Sequence, residues 1–290
     1  YVGISVLAGA LRELGHTVDF ESPRLHLPVY TAERLWFNRG LRPSPEHDVT
    51  VGYDMDGYRI AGEPGHVASL KGVIADEVRF ESGLTRLTMS LQARCERLHV
   101  HRATRVVVTS RYSAECAQRM YALDRTPMVV PELIDLEAWR RHLNGFPAHS
   151  TRFTVLYVGR FYRRKRVNLL LDAAVEVRRA IPHLEIRMVG NGPCAGAWRA
   201  HSARLKLEDT VTWLGDISRA DLAAEYNRAH IFCLPSVQEG FGIVLLEAMA
   251  AGKAIVAARA AAIPEVAPHA TLVAPESANA IAQGIIELFG

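Results

Sequence analysis

Residues 231–252 read IFCLPSVQEGFGIVLLEAMAAG. The first four residues are continuously apolar, as a strand buried on both faces should be. A turn opens at Pro235, Gly240 and Gly242 lead into a second apolar run, and Gly252 closes that run as a helix. A buried strand passing through a turn into a helix is the repeating unit of a parallel α/β layer.

The same alternation extends in both directions. Short apolar strands are predicted at 17–20, 48–52, 66–70, 105–109 and 128–130, then at 153–158, 185–189, 211–214, 231–234, 254–257 and 271–273. Helical patterns lie between them, at 6–14, 85–99, 113–122, 168–180, 219–228 and 243–251. Residues 132–151 hold Gly145, Pro147 and several charges without a clear strand. The expectation is an α/β protein of two Rossmann-like parallel-sheet domains, 1–131 and 152–290, joined by a connector over 132–151. Two such sheets facing each other would set their strand ends along one cleft. The helix at 6–14 has no strand before it, so the N-terminal domain is expected to lack its first strand.

At 290 residues, 49% apolar and 22% charged, the chain has the composition of a folded soluble protein. A net charge of +3, with basic and acidic residues interspersed, gives no concentrated basic stripe, and no nucleic-acid partner is expected. Cys95, Cys116, Cys194 and Cys233 form no C-x-x-C pair and read as buried thiols, which suits a reducing cytoplasm. No apolar run has the length of a membrane span, and no signal peptide is seen.

Chemistry concentrates in the quoted stretch. Backbone N–H groups at a helix start bind anions and hydroxyls, and glycines let a ligand approach the backbone. Glu239 precedes the helix and Glu247 stands eight positions later, inside an apolar run. A surface carboxylate is the plainer reading of Glu239 taken alone. Glu247 needs a partner, because burying an unpaired charge is unfavourable, and a sugar or ribose hydroxyl would serve. A second cluster, Gly159-Arg160-Phe161-Tyr162-Arg163-Arg164-Lys165-Arg166, follows the strand at 153–158. Arg160 suits bidentate phosphate contact and Lys165 a point charge, while Arg163, Arg164 and Arg166 read as a solvated basic turn. Asp54-Met55-Asp56 reads as a polar loop, and no metal site is expected, since the histidines lack metal-ligand spacing.

Ser236, Glu239 to Gly242, Glu247 to Ala250 and Gly252 together resemble the retaining glycosyltransferases of family four, which have the two-domain GT-B fold. The resemblance implies that Glu239 binds hydroxyls of the transferred sugar and that Glu247 holds the nucleotide ribose. Gly240, Phe241 and Gly242 would present backbone amides to sugar and phosphate. Arg160 and Lys165 match the family's diphosphate-gripping pair, with Arg166 where the family often has Gly. The turn around Gly190 and Asn191 resembles a donor-cleft loop, and Asp216 with Ile217 resembles the loop that packs on the nucleobase.

In the N-terminal half, residues 6–18 resemble the family's first helix and residues 131–135 its domain-linking segment. Only Gly3 stands for the glycine loop before that helix. Lys71 falls where the family often carries a His. Lys71, Asp76 and Glu77 are acceptor-site candidates, with a structural salt bridge the plainer reading of each.

The activity implied is transfer of a hexose, with retention, from a nucleoside-diphosphate sugar to an unidentified glycan, lipid or small molecule. No cofactor is expected beyond the sugar nucleotide as co-substrate. The alternatives are a sugar-nucleotide-binding module without turnover and another GT-B-type enzyme such as an epimerase. The expected place is the cytoplasm or the inner face of the membrane. Peripheral membrane contact is left open, although no helical segment shows an obvious basic amphipathic face.

Overall fold

The computed structural model describes residues 2–144 and 152–290 and divides the chain at Glu132 and Leu133 into two compact units. The first runs α1 (Val2–Glu13), α2 (Tyr30–Gly40), β1 (Thr50–Tyr53), β2 (His66–Leu70), α3 (Ile74–Glu77), α4 (Gly83–Arg102), β3 (Arg105–Val108), α5 (Arg111–Tyr121) and β4 (Met128–Val129). Its strands form one parallel sheet in the order β1-β2-β3-β4. Leu70, Val106 and Val108 pack against Ala117 and Tyr121 of α5 in its main core.

The strand expected at 17–20 does not form. A strand exists only in a ladder that pairs its backbone groups. Here the Val18 carbonyl accepts instead from the Arg12 guanidinium, and the Arg12 charge lies 5.5 Å from the centre of the exposed Phe20 ring. α2 is absent from the sequence reading because its pattern is inverted. Asn38 is wholly buried, donating to Asp56 and accepting from the Gly57 N–H, while Tyr30 and Trp36 are exposed.

The second unit runs α6 (Leu136–Asn144), β5 (Phe153–Val158), α7 (Val167–Ala180), β6 (Leu184–Val189), α8 (Ala195–Arg204), β7 (Val211–Gly215), α9 (Arg219–Arg228), β8 (Ile231–Leu234), α10 (Ile243–Ala250), β9 (Ala254–Ala258), α11 (Ile263–Val266), β10 (Thr271–Val273) and α12 (Ala278–Phe289). All six strands are parallel, in the order β10-β9-β8-β5-β6-β7. Every residue of β8 is buried, and so are five of the six in β5, because helices cover both faces. α7 and α12 pack together, and α6 packs on α9 and α10.

The segment 132–151, read as a connector, therefore carries a helix that belongs to the second core: Trp139 of α6 is fully buried there. Residues 145–151 of that segment lie outside the described residues.

The sheet order places the site. The chain leaves β5 outward to β6 and β7, then returns to lay β8 on the other side of β5. Connections on the two sides of such a reversal diverge, and a crevice opens at the carboxyl ends of the two central strands. The turns after β5 and β8 border it.

Candidate active site

Both turns deliver charge to that crevice. Lys165 ends a short 3-10 turn after β5, and its Nζ lies 2.7 Å from Oε1 of Glu239 in the turn after β8. The two side chains are 13% and 9% exposed, so the pair is shielded from bulk water without being sealed. The turns are also joined through the backbone, since the Val237 N–H donates to the Arg164 carbonyl at 2.9 Å. Arg164 departs from the solvated turn read in the sequence: it is buried, with its guanidinium 4.7 Å from the centre of the Tyr162 ring. Arg160 and Arg163 are exposed. Arg163 and Arg166 line an open hollow of about 230 Å³ with Asn168, Cys194 and Trp198.

Around Glu239 the backbone is tight. Gly240 and Phe241 are buried, and Gly242 takes φ +84° as the cap of α10, a conformation that L side chains rarely adopt. Three buried polar atoms close to these turns have no hydrogen-bond partner among the described residues: the Tyr157 hydroxyl, Ser236 Oγ and Gln238 Oε1. Such groups are rare in native proteins and mark places where a polar ligand or water completes the bonding. Burial and the neighbouring Glu239 charge push the Tyr157 phenol well above its ordinary pKa, so it stays protonated and available as a donor.

Glu247, on α10, is almost wholly buried, and the fold supplies the partners its sequence context lacks. Oε1 accepts from Arg219 Nη1 at 2.9 Å and Oε2 from the Tyr226 hydroxyl at 3.2 Å. Its backbone carbonyl accepts from Trp139 Nε1 at 3.1 Å, and the Arg219 guanidinium lies 4.6 Å from the Trp139 ring centre. Burial raises the Glu247 pKa, and Arg219 and Tyr226 partly offset that shift.

Beside this, the ends of β5, β6 and β7 meet through glycines. The Gly159 N–H donates to the Val189 carbonyl at 3.1 Å, and the Gly190 N–H to the Gly215 carbonyl at 2.7 Å. Gly190 has φ +122°, and a Cβ there would fall 2.1 Å from the Gly159 oxygen. Asn191 is exposed and its Oδ1 accepts from the Gly192 N–H at 2.9 Å. Asp216 is exposed, whereas Ile217 packs on the core.

Residues 152–290 match the family model described as "Glycosyl transferases group 1". The second unit belongs to the glycosyl transferases group 1 family. Within the match lie Arg160, Lys165, Glu239 and Glu247. A phosphatidyl-myo-inositol mannosyltransferase of Mycobacterium tuberculosis is 35% identical over 143 residues, which are 48% of this chain and 36% of that protein. A D-inositol 3-phosphate glycosyltransferase of Segniliparus rotundus is 31% identical over 211 residues, 68% of this chain and 45% of that one. The chain thus aligns with less than half the length of either relative.

Among solved structures, WaaG, a glycosyltransferase involved in lipopolysaccharide biosynthesis, superposes with a TM-score of 0.72 at 19% identity, covering 99% of this chain and 85% of WaaG. HepE of Anabaena, in complex with UDP and glucose, gives 0.65 at 20% identity, covering 84% and 69%. These two show a shared GT-B architecture of paired parallel sheets.

The acceptor candidates lie in the first unit, outside the group 1 match. Lys71 Nζ is 2.8 Å from Glu132 Oε1 and 5.1 Å from the Tyr53 ring centre. Asp76 is fully buried, accepting from Arg79 at 3.0 Å and from the Tyr112 hydroxyl at 2.7 Å. Glu77 lies over Gly72, where a Cβ would meet its carboxylate at 2.8 Å.

Asp54 accepts from the Lys71 N–H at 2.7 Å and Asp56 is bound by Arg34 and Asn38. Among the described residues no three His, Cys, Asp or Glu side chains converge to hold a metal ion. No helix among them is long and apolar enough to cross a membrane.

Two residues of the group 1 unit escaped the sequence reading. Arg219 looks like any first-turn cation of α9 following its Ser218 cap, and only the fold brings it to Glu247. Tyr157 sits in the middle of an apolar strand and reads as core.

Proposed function

We propose that the chain transfers a hexose from a nucleoside-diphosphate sugar to an acceptor hydroxyl, with retention at the anomeric carbon. One observation carries this reading: a lysine and a glutamate paired across the reversal point of a parallel sheet, in the turns that match group 1 glycosyltransferases. A diphosphate entering the crevice offers Lys165 a stronger counter-charge than one carboxylate, and the released Glu239 then accepts hydrogen bonds from sugar hydroxyls. As the anomeric C–O bond breaks, its electron pair passes to the diphosphate, the acceptor oxygen bonds the anomeric carbon on the same face, and the acceptor's proton passes to the departing phosphate oxygen. The added charge falls to Arg160, Lys165 and the backbone N–H groups at Gly240 to Gly242, which act where charge develops. Glu247, held by Arg219, meets the ribose. The reading invokes no cofactor.

The acceptor is a polyol hydroxyl, free or on a lipid head group. The relatives' names support it, one naming phosphatidyl-myo-inositol and the other inositol 3-phosphate. The reaction belongs in the cytoplasm, at the inner face of the membrane where the acceptor is a lipid.

Thermal-shift measurements with UDP, GDP and ADP, followed by turnover of the matching sugar nucleotides, test the donor. Stabilisation by one nucleotide with release of its sugar supports the proposal. Stabilisation without turnover of any sugar nucleotide reduces the chain to a binding module, and no stabilisation overturns the donor site itself. NMR of the product's anomeric configuration tests retention, which an inverted product would refute.

A further inference from the structure

Helix α4 has three faces rather than two. Its buried face carries Met89, Gln92, Cys95, Glu96, His99 and Val100. Outside that face runs a ridge of four leucines, Leu84, Leu87, Leu91 and Leu98, which are 74%, 69%, 41% and 44% exposed. Their spacing confines them to about 60° of the helix circumference, along about 21 Å of its axis. Beside the ridge lie Arg86, Arg94 and Arg97, and Arg102 extends it by one more turn; all four are exposed. None of the four forms an ion pair among the described residues. The helix has one acidic residue, Glu96, and it is turned inward, accepting from the Ile74 N–H at 2.8 Å and from the Tyr121 hydroxyl.

This is the basic amphipathic face that the sequence hides. Half of the buried face is polar, so the apolar periodicity points partly away from the core, and the leucine ridge is lost in the average. Water is a poor solvent for such a ridge, and contiguous exposed apolar patches mark interaction sites. We infer that α4 is a docking face for an anionic membrane surface, its leucines entering the interface and its arginines meeting lipid phosphates.

Charge selects this partner. Pairing two copies of the chain through the ridge would bring the arginine rows together, and like charges across an interface are strongly unfavourable. An anionic leaflet meets them all at once and needs no shape complementarity from its partner. α2, tied to α4 through Gln92 and Thr31 at 2.6 Å, exposes Tyr30 and Trp36, residue types enriched at membrane interfaces.

Co-sedimentation of the whole chain with vesicles tests it. Phosphatidylcholine alone is compared with phosphatidylcholine mixed with phosphatidylglycerol, at low and high salt. The expected result is binding to the anionic vesicles only, weakened by salt. Two charge reversals, Arg94→Glu with Arg97→Glu, should lower partition at least about ten-fold. The ridge change Leu87→Ser with Leu91→Ser should do the same while leaving the melting temperature and nucleotide-induced stabilisation in place.

Equal partition of wild type and both double variants overturns the inference, as does equal binding to neutral and anionic vesicles. So does a dimer in light scattering that the ridge change converts to monomer without any vesicle binding. Capture of wild type by an acidic peptide, with no vesicle binding, would assign the face to a protein partner instead.

Discussion

Lys165 and Glu239 are 74 residues apart in sequence and 2.7 Å apart in space, from turns on the two sides of the sheet's reversal point. Both are mostly shielded, and each is the other's nearest counter-charge. Lys165→Ala leaves Glu239 shielded and unpaired, and is expected to lower stability by about 3 kcal/mol in urea unfolding. Replacing both, Lys165→Met with Glu239→Gln, should restore part of that loss. A double-mutant cycle with no coupling would show that the contact contributes nothing.

The same pair makes a functional prediction. Glu239→Gln removes the carboxylate but releases Lys165 for a diphosphate. Transfer should be lost, while UDP or GDP binding in calorimetry stays equal or becomes tighter. Turnover equal to wild type would remove Glu239 from the reaction.

Arg219 should act through Glu247. Arg219→Ala removes the bond that offsets burial, so the Glu247 pKa rises further. A carboxyl whose folded pKa exceeds its unfolded value stabilises the protein at low pH, and that contribution is lost as pH rises from the unfolded value through the folded one. The variant should therefore lose stability more steeply than wild type as pH rises above the ordinary carboxylate value of 4.5. Adding Glu247→Gln should flatten the curve. Nucleotide KM should rise in Arg219→Ala with kcat changed less, and Arg219→Lys should recover part of the effect. An unaltered pH profile would disconnect the two residues.

The second unit was almost fully legible and the first was not, for a physical reason. Strands such as Ile231–Leu234 are apolar along their whole length because helices cover both faces, and the turns after them carry glycines that the backbone demands. In the first unit the core accepts Asn38, Asp76, Gln92, Glu96 and His99, while Trp36 and Leu87 face outward. Periodicity there misstates which face is buried. α2 was missed for this reason, and so was the outer face of α4. At the candidate site, the sequence showed Lys165 and Glu239 with separate tasks, and only strand order brings them together. It left Glu247 without a partner, because Arg219 reaches it from a different helix.

The first unit should be acid-sensitive through His99. Its Nδ1 lies 2.6 Å from the Asp54 carbonyl and its Nε2 2.8 Å from Nε2 of His66. Burial lowers the His99 pKa to about 4 and lowers that of His66 as well. Neutral His in the fold means that stability is lost as pH falls below the ordinary value of 6.5 toward 4. Asp54, raised by burial to about 6, contributes with the opposite sign, losing stability as pH rises from 3.8 to that value. Asp54→Asn should therefore steepen the acid loss of melting temperature between pH 6.5 and 4, and His99→Gln should flatten it. A profile that neither change alters would exclude both groups.

Arg166 is the position where the family pattern and the local backbone meet. It caps α7 with φ +48°, a left-handed conformation that strains a side chain by about 1 kcal/mol and leaves glycine unstrained. What holds the arginine there is an ion pair with Glu276, whose carboxylate is 61% exposed and contributes little in water. Arg166→Gly and Arg166→Ala lose that pair equally and differ only in backbone strain. The glycine variant should therefore be more stable than the alanine variant by about 1 kcal/mol, and at least as stable as wild type, in urea unfolding. Glu276→Ala should change stability by less than about 0.5 kcal/mol. Equal stability of the glycine and alanine variants would mean that the turn relaxes, and that the glycine common at this position in the family answers to the ligand rather than to the backbone.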